Sequence, residues 1–255
     1  MFFAERSWPE LKEAIEKNTL IILPVGTIEE HGMHLPVETD AAIAEAVARR
    51  IGEALKDEIP LLIMPTVWTG YSAKEMTRWP GTIRVRPRVL TDMLFDVCSS
   101  LIEMGFKKIV ILDCHGHHSG ILNVVAREIA DTYGVYMAIT APAAMSAEGY
   151  GKIRRSVVGG SIHGGEWETS LMLHLGRNVN MDRATDEDIM RYHSEFLPGD
   201  NFVSGKKVFW STWGVQQSKT GIYGDPTVAS KETGEQIMRF IVDNYVKFIR
   251  EFYAH

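Results

Sequence analysis

Residues 19–40 read TLIILPVGTIEEHGMHLPVETD, and this stretch decides the fold. Its first part, residues 19–26, is an apolar run with the length of a buried strand. The remainder brings together ionisable side chains within a dozen positions: Glu29, Glu30, His31, His34, Glu38 and Asp40. In open α/β sheets, ligands bind in the loops at the carboxyl ends of the strands. The stretch therefore predicts an interior strand of such a sheet, with a polar site directly after it.

Outward from this stretch, apolar runs alternate with helical patterns. Three more runs have strand length: Leu61–Val67, Lys108–Asp113 and Val135–Thr140. Helices are predicted over Asp40–Lys56, Arg86–Met104, Ile121–Tyr133 and Lys231–Phe252. This alternation predicts an α/β fold with a mostly parallel sheet and helices on both faces. The segment Ala141–Gly165, rich in Gly, Ala and Ser, is interpreted as a long functional loop.

Length and composition limit the possible domain organisation, cellular location and binding partners of this chain. With 255 residues, 45% hydrophobic and 24% charged, and no internal repeat or linker, a single domain over residues 1–255 is expected. No apolar run reaches the roughly 18 residues of a membrane span, and the first residues lack a secretory signal, so we expect a cytoplasmic location. The net charge of −6 without a basic block argues against a nucleic-acid partner. Cys98 and Cys114 provide neither a disulfide framework nor zinc-finger spacing.

A second polar loop follows the predicted strand at 108–113. It reads Asp113-Cys-His115-Gly-His117-His118. Carboxylates and imidazoles gathered at one sheet edge are costly without a cation, so a metal site is predicted there. The alternative is a solvated polar loop. For Asp40, which lies at the start of a helical pattern, the alternative is a role in capping that helix.

A third polar cluster precedes an apolar stretch that begins at residue 171. It reads His163-Gly-Gly-Glu166-Trp-Glu168-Thr-Ser170. On a helix, Glu166 and Ser170 share a face, while Glu168 points elsewhere. We therefore expect one of the two carboxylates to face a cleft and the other to anchor the fold.

Five segments together resemble the creatininase, or creatinine amidohydrolase, family. In chain order they are residues 24–40 (PVGTIEEHGMHLPVETD), 79–83 (WPGTI), 113–120 (DCHGHHSG), 163–170 (HGGEWETS) and 221–226 (GIYGDP). They span nearly the whole chain. The resemblance implies a Rossmann-like, three-layer α/β/α domain that carries two divalent metal ions, zinc, manganese or iron. It also implies assembly into a homohexamer.

The resemblance implies a set of metal ligands by position: Glu29 and His115 for one ion, His31 for the other, and Asp40 as the bridge between them. In creatininase, a Glu two residues beyond the last matched histidine completes the second ion's site, but this chain has His117 there. Many relatives instead carry a Glu at the position of Glu166. Glu166 is therefore the predicted fifth ligand, with His117 as the competing candidate.

The resemblance further implies a water, activated between the two ions, that attacks an amide carbon. His163 matches the histidine that does acid and base work in creatininase, and we expect it to protonate the leaving nitrogen. Glu168 is expected as a further catalytic residue. The expected substrate is a small polar amide, lactam or formamide. Creatinine itself is not expected, because the Tyr that follows creatininase's histidine is Gly116 here, and a histidine common before WPGTI is Met76.

Two other functions fit the same residues. The activated water could open the ring of a polar cyclic ketone in sugar or inositol breakdown, and the residue types of the metal site do not separate this from amide hydrolysis. The second alternative is a non-catalytic metal-binding protein, which needs a closed ligand shell. A Rossmann oxidoreductase is excluded, because no Gly-x-Gly-x-x-Gly follows the first strand.

Overall fold

The computed structural model describes residues 1–204, 207–210 and 216–255. Four parallel strands form the central sheet: β1 (Leu20–Val25), β2 (Leu61–Ile63), β3 (Lys108–Asp113) and β4 (Ala138–Thr140). Their order across the sheet is β2-β1-β3-β4, and β1 pairs with β3 from end to end. Both central strands are buried on both faces, which is why they appear in the sequence as continuous apolar runs.

Helices cover both faces of the sheet. They are α1 (Trp8–Glu16), α2 (Thr39–Leu55), α3 (Pro87–Met104), α4 (Ser119–Tyr133), α5 (Pro142–Ile153), α6 (Glu166–His174) and α7 (Lys231–Ala254). Side chains alternate along β1, so that Leu20 and Ile22 pack with α2, α6 and α7. Leu23 and Val25 pack with α3 and α4 on the opposite face. The predicted α/β/α architecture with a mostly parallel sheet is confirmed.

Two of the predicted strands are shorter than expected. β4 begins at Ala138 rather than Val135, and β2 ends at Ile63 rather than Val67. After Met64, whose N–H donates to the Ile22 carbonyl at 2.9 Å, the ladder with β1 is interrupted at residues 65 and 66. Beyond the interruption, the Val67 N–H still donates to the carbonyl of β1 residue Pro24 at 2.9 Å. The chain therefore stays beside β1 up to its carboxyl end.

The prediction of a long loop over Ala141–Gly165 is wrong. This segment contains α5 and strand β5 (Ser161–His163), which pairs antiparallel with β6 (Tyr223–Gly224). Pro142 starts α5 at a position where a helix tolerates proline. Gly149 lets α5 approach α7 closely, because a Cβ there would lie 2.5 Å from an aromatic ring of α7. The helical conformation of α5 therefore depends on its packing against α7, which the local composition does not indicate.

Among the residues that the structure describes, no helix combines the length and the apolar character needed to cross a membrane. The single domain over residues 1–255, the homohexamer and the cytoplasmic location stay predictions.

Candidate metal centre

The carboxyl ends of β1 and β3 bring the first two polar loops together. Glu29 and His31 follow β1, His115 follows β3, and Asp40 lies in the first turn of α2. All four side chains are buried. They meet although 75 positions separate Asp40 from His115, because neighbouring parallel strands end at the same edge of the sheet.

Asp40 lies at the middle of this cluster, with one imidazole near each carboxylate oxygen. Its Oδ2 atom accepts hydrogen bonds from Thr27 Oγ1 at 2.6 Å and from His115 Nδ1 at 2.8 Å. Its Oδ1 atom lies 3.2 Å from His31 Nε2. Burial raises the pKa of Asp40, but the charges of His31 and His115 outweigh burial and hold that pKa well below its ordinary value. A carboxylate that meets two histidines through separate oxygens has the arrangement of a bridging ligand.

Backbone carbonyls orient both histidines. His31 Nδ1 donates to the Glu29 carbonyl at 3.0 Å, and His115 Nε2 donates to the Tyr71 carbonyl at 3.1 Å. A carbonyl can only accept, so these bonds fix which nitrogen of each ring faces it. The other nitrogen, Nε2 of His31 and Nδ1 of His115, then faces Asp40. Burial lowers the pKa of both rings, but Asp40 raises that of His31 well above its ordinary value. Glu29 and Asp40 together raise the pKa of His115 to about 9.

The surroundings of the Glu29 carboxylate show that a cation fits this cluster. Its side chain is fully buried, and neither of its carboxylate oxygens takes part in a hydrogen bond with the residues that the structure describes. Its Oε2 atom lies 3.3 Å from His115 Nδ1. A buried carboxylate without donors is costly, and a divalent ion would supply the missing positive charge. The residues present therefore fit a metal, and carboxylate and imidazole ligands suit zinc, manganese and iron.

Among the described residues, three groups of side chains place possible ligand atoms within 4.8 Å of one another. They are Glu29–His115–His117, Glu29–His31–His163 and His31–Asp40–Glu168. Because the groups share members, they form one continuous site. Of the residues expected as ligands, the structure brings together Glu29, His31, Asp40, His115 and His117, but not Glu166.

Glu166, the expected fifth ligand, belongs to none of these three groups. Its carboxylate accepts hydrogen bonds from the Tyr150 hydroxyl at 2.9 Å and from the backbone N–H groups of Arg155 and Ser156 at 3.0 and 2.8 Å. These donors satisfy both oxygens, so Glu166 anchors the chain that follows α5. Helical spacing separated Glu166 from Glu168, but it does not fix how the helix is rotated relative to the site.

Glu168, two residues further along α6, belongs to one of the three groups. Its Oε2 atom lies 4.0 Å from His31 Nε2 and accepts a hydrogen bond from the Gly164 N–H at 2.6 Å. The side chain is 15% exposed and lies at the accessible side of its group, and burial raises its pKa. Its position beside His31 and Asp40 makes it a candidate metal ligand.

His163, the expected proton donor, packs against His31. The two ring centroids are 4.3 Å apart, and the planes differ by 35°. His163 Nε2 donates to the Glu30 carbonyl at 2.8 Å. Burial and the charge of His31 lower the pKa of His163, but Glu30 and Glu29 raise it above its ordinary value overall. The Glu30 carbonyl thus engages Nε2 of the His163 ring.

Some site residues could not be chosen correctly from the sequence. Thr27 and the Tyr71 carbonyl support Asp40 and His115, yet a single threonine and a backbone group carry no recognisable pattern. Conversely, His34 and Glu38 lie in the first polar loop but outside the three groups. His34 Nε2 lies 2.9 Å from the hydroxyl of a threonine on α6, and Glu38 forms an exposed ion pair.

The chain was compared with known proteins. The sequence model of the family described as creatinine amidohydrolase matches residues 4–249. The chain is 27% identical to the creatinine amidohydrolase of Pseudomonas putida, over 98% of this chain and 96% of that protein. It is 30% identical to a mycofactocin precursor peptide peptidase of Mycobacterium tuberculosis, over 89% of this chain and 83% of that protein.

Two further comparisons bear on substrate and fold. The chain is 24% identical to the 3-dehydro-scyllo-inosose hydrolase of Thermotoga maritima, over 98% of this chain and 83% of that protein. The solved structure described as "Creatininase Mn" matches with a TM-score of 0.79 at 24% identity, covering 98% of this chain and 97% of that one. The structural match shows a shared fold. The three relatives are named for different substrates, so these similarities leave the substrate open.

Proposed function

This chain belongs to the creatininase family of metal-dependent amidohydrolases, and from that premise we propose that it cleaves a carbon–nitrogen bond in a small amide, lactam or formamide. The proposed site holds two divalent ions, zinc, manganese or iron. Its ligands are Glu29 and His115 for one ion, His31 and Glu168 for the other, and Asp40 as the bridge. Glu168, expected as a catalytic residue, is thus proposed as a ligand in place of Glu166.

One observation carries this proposal. Asp40 meets His31 and His115 through separate oxygens, while Glu29 beside them is buried without a hydrogen-bond donor among the described residues. Together with Glu168, three carboxylates converge in a largely buried site. Such a concentration of negative charge is compatible with a stable fold when cations are bound between the carboxylates.

The protein's part in the reaction is to hold these groups in fixed positions. When bound, two divalent ions lower the pKa of a shared water toward about 7 and polarise a carbonyl oxygen. Thr27 holds one oxygen of Asp40, so the carboxylate cannot rotate freely between the two histidines. The Glu29 and Tyr71 carbonyls keep each imidazole in the tautomer that a ligand needs.

His163 is proposed to move the proton that cleavage of an amide requires. An amide nitrogen is a poor leaving group until it is protonated, and imidazole can deliver a proton near neutral pH. Because His163 Nε2 is held by the Glu30 carbonyl, the proton would pass through Nδ1. Packing against His31 keeps this ring beside the proposed ligands.

The names of the relatives support amide chemistry. One is named an amidohydrolase and another a peptidase, and both names denote cleavage of a carbon–nitrogen bond. Creatinine remains an unexpected substrate, because Gly116 occupies the position of a Tyr in creatininase, and Met76 occupies that of a histidine common before WPGTI. The non-catalytic alternative is not favoured, since the family consists of hydrolases.

Ring opening of a cyclic ketone is a second candidate function. It is supported by the likeness to an inosose hydrolase over 98% of this chain. The same arrangement of Asp40, His31 and His115 would serve both reactions, because each begins with attack of water on a carbonyl carbon.

Elemental analysis of protein purified with added zinc or manganese tests whether each chain binds two ions. We expect two ions per chain in the wild type and fewer in Glu29→Gln. Glu148→Gln is the matched control, because Glu148 lies on the surface of α5 with 87% of its side chain exposed, and it should bind two ions. A wild-type protein that binds no metal from either salt would overturn the proposal.

A substrate panel tests the reaction. The metal-loaded protein is incubated with lactams, formamides, dipeptides and cyclic ketones, and the products are identified by mass spectrometry. Hydrolysis of an amide yields an acid and an amine, whereas turnover of ketones alone would favour the second function. His163→Ala should retain its metal and lose turnover; wild-type turnover in this variant would remove His163 from the mechanism.

A further inference from the structure

The side chain of Ile222 packs between two glycines that lie in different loops of the candidate metal centre. It is buried, with 1% exposed. A Cβ on Gly164 would lie 2.5 Å from the Ile222 Cγ2 atom, and a Cβ on Gly32 would lie closer still. Non-bonded carbon atoms prefer separations of about 3.5–4.0 Å, so only glycine leaves room for this methyl group at both positions. One methyl group therefore contacts both loops.

Each of these glycines adjoins residues of the proposed site. Gly32 directly follows His31. Gly164 directly follows His163, and its N–H donates to Glu168 at 2.6 Å. A Cβ on Gly164 would also lie 3.3 Å from the His31 carbonyl oxygen, so the two loops lie side by side here. The Cγ2 methyl group thus lies where the loop that carries His31 meets the loop that carries His163.

The backbone is held in place on both sides of Ile222. On one side, Asp188 accepts hydrogen bonds from the backbone N–H and the hydroxyl of Thr220, at 2.8 and 2.6 Å. On the other side, Tyr223 belongs to β6 and pairs with His163 of β5. Because the chain is fixed before and after Ile222, the side chain has a defined position against the two glycines.

We propose that Ile222 is a positioning residue that acts through its Cγ2 methyl group. By separating the two glycines, this methyl group fixes where Glu168 and His163 lie relative to His31. The inference rests on the proposed function, in which His31 and Glu168 bind one ion and His163 moves a proton. A displacement of about 1 Å in such groups can lower a rate about 100-fold, although no ligand is removed.

Two substitutions separate the Cγ2 methyl group from the volume of the side chain. Ile222→Val keeps both carbon atoms bonded to Cβ and loses only Cδ1. Ile222→Leu keeps the number of carbon atoms, but it bonds a single carbon to Cβ and cannot fill both γ positions. A role of the methyl group thus predicts a larger effect for leucine, whereas a role of the volume predicts a larger effect for valine.

Ile249→Leu is the matched control. Ile249 is fully buried in α7. Three residues further along this helix, the Phe252 carbonyl accepts a hydrogen bond at 3.4 Å from Lys108, the first residue of β3. The control therefore carries the same substitution near the amino edge of the sheet, opposite to the candidate metal centre.

Affinity for manganese, measured by competition with a chelator, is the first readout. In Ile222→Leu, one of the two ions should bind about 10-fold more weakly, because His31 and Glu168 no longer meet it in the same geometry. Ile222→Val and Ile249→Leu should bind both ions within about threefold of the wild type. Where the leucine variant does not fold, Ile222→Ala replaces it, because alanine removes both γ carbons and adds no atom.

Turnover of the substrate found in the panel is the second readout. In Ile222→Leu, kcat should fall about 10- to 100-fold while KM changes less than about threefold, because His163 and Glu168 are misaligned but no group that contacts the substrate is removed. Ile222→Val should restore most of this loss. A side chain that only stabilises the fold would not produce this difference between two folded variants.

Three results would overturn this inference alone. They are wild-type manganese affinity in Ile222→Leu or in the folded Ile222→Ala, an equal loss of affinity in Ile222→Val, and an equal loss in Ile249→Leu. The second would assign the effect to side-chain volume, and the third to general stability. A wild-type protein that does not bind two manganese ions would instead overturn the proposed function, and this inference with it.

Discussion

Two regions of this molecule that contain buried carboxylates differ in what surrounds the carboxylate oxygens. In the anchoring region after α5, donors engage both oxygens of Glu166. Close by, Asp200 is bound by the Arg154 guanidinium at 2.8 and 3.1 Å and by the Gly159 N–H at 2.7 Å. In the candidate metal centre, Glu29 is equally buried but accepts no hydrogen bond from the described residues.

Because Glu166 and Glu29 are equally buried but differ in their hydrogen-bond donors, burial alone does not identify a metal ligand. A buried carboxylate whose oxygens are satisfied by donors stabilises the fold without a cation. One without donors carries a charge that something else must balance. Glu166 represents the first case and Glu29 the second.

The largest loss of metal binding and turnover is expected for Asp40→Asn. Because Asp40 is proposed to bridge both ions, the variant should lose affinity for both, and turnover should fall about a thousandfold or more. Metal content by elemental analysis and the rate on the substrate found in the panel measure the effect. Asp131→Asn, on the exposed surface of α4, is the control. Two ions and wild-type turnover in Asp40→Asn would contradict the bridging role.

The two glutamates of α6 allow a reciprocal test. Glu168→Gln should lose about one ion per chain and about a hundredfold or more in turnover, while the metal-free protein keeps its stability. Glu166→Gln should keep both ions but lower the free energy of unfolding by about 1–3 kcal/mol, since an amide N–H would meet backbone donors. Urea unfolding and elemental analysis measure both effects. The reverse pattern would restore Glu166 as the ligand.

Substitution of His118 tests whether hydrogen bonds outside the site help to position the proposed ligand His115. It is fully buried, donates from Nδ1 to Asp113 at 2.9 Å and accepts from the Tyr71 N–H, whose carbonyl in turn orients His115. His118→Ala should weaken metal binding about 10- to 100-fold, measured by competition with a chelator. His118→Asn, which can still donate and accept, should be affected less. Equal affinity in all three proteins would show that the Tyr71 carbonyl holds its position unaided.

Metal binding should also depend on pH. Without metal, the pKa of His115 is raised to about 9, so below that pH the ring carries a proton on Nδ1 that a metal ion must displace. Apparent affinity should therefore rise with pH, by about tenfold per pH unit for each displaced proton, and level off above about 9. Calorimetry in buffers of different ionisation enthalpy measures the protons released. Affinity that is flat between pH 6 and 8 would contradict a protonated His115.

The smallest effect is expected at Cys114. Its thiol lies in none of the three groups of possible ligands, and burial raises its pKa well above the ordinary value. Cys114→Ser should therefore change metal content and turnover by less than about twofold. An inactive variant that keeps its metal would point to a thiol mechanism.

Much of the site could be predicted from the sequence, because it depends on strand ends. Glu29, His31 and His115 follow apolar runs directly, and the parallel sheet brings such positions to one edge. The position of Glu166 outside the three groups could not be foreseen, because helical spacing gives relative directions only. Helix α5 was missed because Gly149, which weakens a helix locally, is needed for close packing on α7.

By itself, the sequence determined which residue types gather at which edge of the sheet, since strand length, helical period and polar loops are local patterns. Only the tertiary structure decided which atoms face the metal centre. The Tyr71 carbonyl sets the hydrogen of His115 from 44 positions away. The tautomer of a histidine depends on the group that happens to lie beside its ring, and no local pattern records that contact.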